Sequence, residues 1–331
     1  MFLPRLPPGL GAAFWLAAAV ILLVEAALHN DQVVHQYRAV FAAGRAMDKV
    51  FYVESHPPAV LFLGNSRVDN GIDPKTVAKA LGLAPNASFN LGIPGANLII
   101  YHGLLTRFSQ QGILGNSGIR AVVIGLDESA LQTDDSLGYS TFFADRNALL
   151  NTAHYPAWLG TNVRLWSYSA NLRQLHEPEK LLRFIQASVS KIEPVGGGAA
   201  QHLGYRAGFG EAQNQAQLQR QDAGSRQPPD NQVMPFLWLT VDLLKKHGVQ
   251  TYVTFLPLLN RKSLYLDDDL PEAVPYKNVL NGLRAQGVGV LTQPMGSFTP
   301  DDFVNAGHLN DRGAQHFSAE LGQRLLAAKV K

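Results

Sequence analysis

The chain has 331 residues, of which 46% are hydrophobic and only 16% charged, which excludes both a disordered chain and a many-spanning membrane protein. Its 28 Lys and Arg against 26 Asp and Glu leave a formal net charge of +2 without any basic block, so nucleic acid is not an expected partner. The absence of cysteine removes disulfide frameworks, thiolate metal sites, iron–sulfur clusters and cysteine nucleophiles together. In chain order, the first informative stretch is an uncharged run of 19 residues at positions 6 to 24, ending in FWLAAAVILLV. As a helix it is roughly 28 Å long, about one hydrocarbon core, and longer than the about 7–15 apolar residues of a cleaved signal peptide. Residues 1–29 are therefore expected to be a short stub and a transmembrane signal anchor; a peptide cleaved at Val24-Glu25-Ala26 is the alternative. Arg5 precedes the span and Glu25 and Asp31 are the first charges after it, which puts the remainder on the outer side of the membrane.

Residues 30–331 then alternate strand and helix signals. Ala59-Val60-Leu61-Phe62-Leu63, Ala121-Val122-Val123-Ile124 and Thr251-Tyr252-Val253-Thr254-Phe255 are short continuous apolar runs, as strands buried on both faces require. Ser88–Leu91 and Gly289–Leu291 are weaker strand candidates. Asp73-Pro74 is a helix start, a cap followed by proline. Val233 to His247 has helical spacing and stops at Gly248, and Ala314, Phe317, Leu321, Leu325 and Ala328 form one face of a last helix. Such alternation implies an α/β protein with a mostly parallel sheet covered on both sides. Residues 128–231 interrupt it with no strand signal. This stretch is expected to be a helical insertion with a mobile loop, since residues 196–230 are rich in Gly, Gln and Asn.

Three places carry candidate chemistry. Leu63-Gly64-Asn65-Ser66-Arg67 follows a strand, where open parallel sheets form ligand sites, and offers Ser66 as a nucleophile with Arg67 beside it. Gly115-Asn116-Ser117 repeats the tripeptide but precedes a strand, as a plain loop does. Asn90 through Asn97 follows another strand, and its glycines allow backbone N–H groups to face an oxyanion. Asn305-Ala306-Gly307-His308, before the last helix, offers His308 as a general base near neutral pH. No metal site is expected: the histidines lack ligand spacing, and Asp267-Asp268-Asp269 is a solvated loop face.

Taken in order, Gly64-Asn65-Ser66, Asn90 through Gly95, and Asn305-Ala306-Gly307-His308 resemble the motif blocks of the SGNH (GDSL-like) hydrolase superfamily. The resemblance covers roughly residues 58–128 and 250–331. With the anchor, "LGNSRVDNGIDP" resembles membrane-anchored members that assist O-acylation of cell-envelope polymers. What it implies is a three-layer α/β/α flavodoxin-like domain, a Ser66 nucleophile, a His308 base and no cofactor. Gly95 and Ser66 N–H groups would be oxyanion donors, and Asn97 is the candidate to supply, instead of the family's third-block Asn, a side-chain donor. Three departures stand out. Asn65 replaces the frequent Asp, a position that is not the nucleophile. Gly125-Leu126-Asp127-Glu128 stands where the family has Gly-x-Asn-Asp, and a carboxylate at Asp127 would repel an oxyanion, so that role is not carried over. Asn305 stands where the family has an Asp three residues before His; it, or Asp302 instead, would orient the imidazole.

Two functions follow from this pattern. One is an acyl-ester enzyme, an O-acetyltransferase or esterase, whose partners are an acylated glycan or acyl donor and a multi-spanning membrane acyltransferase. The other is a non-catalytic, anchored SGNH-like protein that binds glycan or serves such an acyltransferase.

Overall fold

In the computed structural model, which describes residues 8–37, 44–116, 118–133, 138–169, 173–190, 200–211, 218, 220–221, 226–292 and 298–330, the apolar runs pair into one sheet. Its strands are β1 (Val60–Gly64), β2 (Ser88–Gly92), β3 (Ala121–Gly125), β4 (Gln250–Thr254) and β5 (Gly289–Leu291). All pairs are parallel, in the order β2-β1-β3-β4-β5. Each expected strand is present to within a residue at either end.

The burial of β1 on both faces shows why its run had to be apolar throughout. Val60 and Phe62 join one core cluster, and Leu61 and Leu63 the other. The first cluster is closed by α5 (Pro74–Leu81) and by a long last helix, Asp311–Ala327, through Val77, Phe317, Leu321 and Leu325. The second is covered by α3 (Gly44–Ser55) and α6 (Leu98–Gln110), with later helices Met234–Lys246 and Val274–Ala285 beside them. Each fully buried aliphatic side chain there contributes about 1.5–3 kcal/mol.

Asp73 caps α5 from the expected position, accepting from Lys75 N–H, and proline occupies its first turn. The apolar N-terminal run is α1 (Pro8–Leu28), about 31 Å long at about 1.5 Å per residue. From Gly11 it is long and apolar enough to cross a membrane, and almost none of it is buried against the rest of the protein. α2 (Asp31–Gln36) follows directly, and α4 (Ser66–Gly71) directly follows β1.

Between β3 and β4, the described residues hold helices and turns and no strand. These are α7 (Ser140–Phe143), α8 (Arg146–Asn151), α9 (Tyr155–Asn162), α10 (Arg164–Ser167), α11 (Pro178–Val189) and α12 (Met234–Lys246). Then come α13 (Val274–Ala285) and α14 (Asp311–Ala327). Composition predicts a loose loop around residue 200, yet Leu203, Gly204 and Tyr205 are buried. Leu203 O accepts from Asn90 N–H at 2.9 Å, which covers the edge strand β2. Ser117 lies outside the described residues.

Sequence patterns also missed a small antiparallel pair, β6 (Phe303–Asn305) and β7 (His308–Leu309). Ala306 and Gly307 are its two-residue turn, so Asn305 and His308 face each other directly across the hairpin.

Candidate active site

Strand order places the crevice. Chain connections leave β1 toward β2 on one side and return to β3 on the other, so the carboxyl ends of β1 and β3 border a switch point. Ser66 comes two residues after β1 and Asp127 two after β3. Over these ends lies α4, drawn close by a glycine at the end of each of the three strands. A Cβ on Gly64 would stand 2.2 Å from Val68 Cγ2, one on Gly125 2.1 Å from the same methyl, and one on Gly92 2.3 Å from Asp69 N.

Asn65 is the N-cap of α4, its Oδ1 accepting from Arg67 N–H at 3.0 Å, so Ser66 is the first helical residue. Its own N–H is in the first turn, where the helix offers no acceptor. Three buried side chains fasten α4 in place. Asn90 Nδ2 donates to Val68 O at 2.6 Å and to Ile72 O at 2.7 Å. Asn70 Nδ2 donates to Leu309 O at 3.2 Å, which ties the serine helix to the histidine strand. Lys49 Nζ donates at 2.6 Å both to Asp69 Oδ1 and to Gly92 O, which joins α4 to the end of β2.

Across this junction, Ser66 Oγ and His308 Nε2 are 2.8 Å apart, and His308 Nδ1 is 2.9 Å from Asn305 Oδ1. Gly307 N–H also donates to Asn305 Oδ1, at 3.0 Å. A backbone N–H can only donate, which identifies that atom as the amide oxygen. The proton of the neutral imidazole therefore resides on Nδ1, and the Nε2 lone pair faces the serine hydroxyl. Burial lowers the His308 pKa below its ordinary value, and the positive charges of Arg67 and Arg206 push the same way against the weaker pull of Asp127 and Asp69. Near neutral pH the ring is thus neutral, the form a general base needs.

The remaining sequence candidates are distributed as follows. Gly95 is exposed at φ +77° in a turn closed by Ala96 N–H to Ile93 O at 3.0 Å, with Pro94 before it, a type II arrangement. Since Gly64 pairs with Gly92, this turn and Ser66 leave adjacent strand ends. Asn97 is not placed as a side-chain donor to an oxyanion. It caps α6, its Oδ1 accepting from Ile99 and Ile100 N–H, and its Nδ2 donates to Gln132 O at 3.0 Å. Nor does Asp302 orient the ring. Its Oδ2 accepts from Thr299 N–H and Oγ1 at 2.9 and 3.1 Å in a capping box, and its Oδ1 is 3.3 Å from Arg312 Nε.

Arg67 is buried between carboxylates, with Nε 3.4 Å from Asp127 Oδ2 and Nη1 3.7 Å from Glu128 Oε2. The Asp127 carboxylate, expected to repel an oxyanion, is instead taken up by the scaffold: it accepts from Asn65 Nδ2 at 2.6 Å, Ser129 Oγ at 2.7 Å and Ala130 N–H at 3.0 Å. Among the described residues no cluster of three His, Asp or Glu could hold a metal ion. Asp267 is buried, unlike the solvated face expected of it, whereas Asp268 and Asp269 are exposed.

Lys49 and Asp69 were missed by sequence reasoning. Lys49 falls on the same helical face as Met47, Val50 and Val53, and a charge in such a stripe is the signal that could have found it. Desolvation lowers its pKa to about 8, partly opposed by Asp69. Residues 203–209 were missed as well. Arg206 N–H donates to Asp69 O at 2.8 Å, and Asp311 N–H to Phe209 O at 2.9 Å, so this strap crosses from α4 to the start of α14. A cavity of about 730 Å³ opens beside the site at the ends of β4 and β5, lined by Phe255, Leu258, Lys262, Thr292 and Phe298 among others. It adjoins the hairpin through Leu259 N–H, which donates to Ala306 O at 3.1 Å.

Comparison with models of known protein families finds no match to this chain, and no curated protein is significantly similar to it in sequence.

Proposed function

We propose that the chain is a membrane-anchored, extracytoplasmic acyl-ester enzyme of the SGNH-hydrolase kind, an O-acetyltransferase or esterase acting on a cell-envelope or exported glycan. The observation that carries this reading is the line of hydrogen bonds from Ser66 Oγ through His308 to Asn305. In it, His308 Nε2 takes the hydroxyl proton as Ser66 Oγ bonds to the acyl carbon. The Ser66 and Gly95 N–H groups face the developing oxyanion. The imidazolium then returns its proton to the departing alkoxide, leaving an acyl-serine. A second hydroxyl, from water or a glycan, reverses the sequence and removes the acyl group. No cofactor is needed.

As for location, α1 is the single span of a protein in the cell inner membrane, with the domain on the periplasmic side. Arg5 before the span and Glu25 and Asp31 after it support that orientation. Retention of the span is supported by Glu25, whose carboxylate accepts from Arg164 and Leu165 N–H at 2.8 Å each. Cleavage after Ala26 would remove this cap from α10. Partners on this reading are an acylated glycan or acyl donor and a multi-spanning membrane acyltransferase. One observation favours the second reading, a non-catalytic accessory or glycan-binding protein: the ring partner is a neutral amide, which gives an imidazolium no counter-charge.

A fluorophosphonate probe tests the choice. Covalent labelling is expected in the unaltered chain and in Ser117→Ala, and should vanish in Ser66→Ala. Labelling that survives Ser66→Ala, or no labelling of the intact chain, would overturn the enzyme reading.

A further inference from the structure

Several helices between β3 and β4 leave apolar faces uncovered around the outer end of α1. Tyr155, Leu159, Val163 and Trp166 form one stripe along α9 and α10, and Trp166 is 72% exposed. Along α11, Leu181, Leu182, Ile185 and Val189 form a second stripe at helical spacing, and none of its described residues is buried. Unpartnered aromatic and aliphatic stripes of this kind mark a contact surface on an otherwise polar domain.

What covers them follows from where α1 is fastened. Glu25 caps α10, Arg164 Nη1 donates to Leu28 O at 2.8 Å, and His29 Nε2 lies 3.3 Å from Asn162 O. The start of α10 is thereby held at the level of the last turn of α1, and Trp166 is two residues farther on. The second stripe is tied to the same place. α2 begins three residues after α1 ends and is only about 9 Å long. Gln36 at its end donates to Ala187 O and, at 3.0 Å, to Ser190 O, while the Tyr37 ring stacks on Phe184 at 4.8 Å. One face of α11 is thus tied to the root of the anchor, and among the described residues the opposite, apolar face is exposed.

We propose that these two stripes rest in the lipid interface, so that the domain lies on the membrane surface around its own anchor rather than swinging from it on a tether. Trp166 and Tyr155 then occupy the headgroup level, where amphipathic rings are favoured, and α11 lies in the plane with its aliphatic side chains about 5–10 Å into the boundary. The inference rests on the reading of α1 as a membrane anchor, and it commits the occupant to lipid.

Because the chain has no cysteine, single cysteines can be placed in the full-length protein without a background. Spin labels at Trp166→Cys, Ile185→Cys, Leu22→Cys and Leu326→Cys would be read in vesicles of phosphatidylethanolamine and phosphatidylglycerol, through collisions with lipid-soluble oxygen and a water-soluble nickel chelate. Oxygen should dominate at 22 and, less strongly, at 166 and 185, while nickel dominates at 326 on α14. Oxygen dominance at 22 with free nickel access at 166 and 185 would overturn the proposal and leave the anchor standing. Nickel access at 22 would overturn the anchor and the proposal with it. Labels at 166 and 185 shielded from both reagents, with spin–spin broadening, would mean contact between copies of the chain and overturn it too.

Discussion

Replacing Asn305 by Asp changes one atom and adds one charge beside the histidine. Asn305 Oδ1 accepts from His308 Nδ1 at 2.9 Å and from Gly307 N–H at 3.0 Å, and a carboxylate oxygen keeps both bonds. The tautomer is therefore unchanged, and the variant isolates the effect of charge. With charges about 4 Å apart and an effective dielectric constant of about 20, the attraction is about 4 kcal/mol, or about 3 pKa units as an upper bound. Comparable neighbours shift a group by about 1–3 units. His308 starts below its ordinary value because of burial and the charge of Arg67, so Asn305→Asp should raise it by about 1–3 units. Proton NMR titration of the ring would measure this. The same attraction stabilises the imidazolium of the transition state, so hydrolysis of p-nitrophenyl acetate, corrected with Ser66→Ala, should accelerate between about tenfold and a thousandfold. The sign depends on pH. Well above both pKa values the two proteins hold a neutral base and the gain is visible. Toward pH 6 the variant becomes protonated first, so its acid limb moves up and the gain shrinks or reverses. A His308 pKa that stays fixed or falls would refute the pairing. A raised pKa without faster hydrolysis would refute the part given to His308 in catalysis.

Asp302→Asn should leave the His308 titration unchanged and lower stability by about 0.5–2 kcal/mol through its weakened capping box, seen as a lower Tm. Lys49→Met removes the closest cation from the buried Asp69 carboxylate, leaving Arg45 at 3.4 Å, and should cost about 3–5 kcal/mol in urea unfolding, much of it recovered in Lys49→Met/Asp69→Leu. Because the folded pKa of Lys49, about 8, lies below its unfolded value near 10.5, the unfolded chain binds more protons between them. Stability should thus rise with pH across that window, less steeply in Lys49→Met. Gly92→Ala places a methyl 2.3 Å from Asp69 N, so α4 must shift; probe labelling of Ser66 should fall sharply while far-UV circular dichroism retains its helical signal.

Much of this arrangement is local and was legible as such. Strand cores buried on both faces must be apolar at every position, so β1 and β3 stand out as runs, whereas β4 is buried only from Tyr252 onward. A cap and proline announce α5, and a 3–4 spacing announces α14. An uncharged span of this length announces α1. Roles that depend on what lies opposite were not legible. Asn305 and Asp302 both precede His308 closely, and only the hairpin decides that Asn305 faces the ring while Asp302 turns back into a cap. Asn97 reads as a side-chain donor to an oxyanion until α6 takes its side chain as a cap. The strap at residues 203–209 has loop composition, and it becomes structure only because β2 has a free edge and Asp311 free acceptors. Ser66 and His308 are 242 positions apart. Residue type and periodicity report on the few neighbours a residue has along the chain, whereas a hydrogen bond across that separation exists only because the parallel sheet brings strand ends, α4 and the hairpin to one edge.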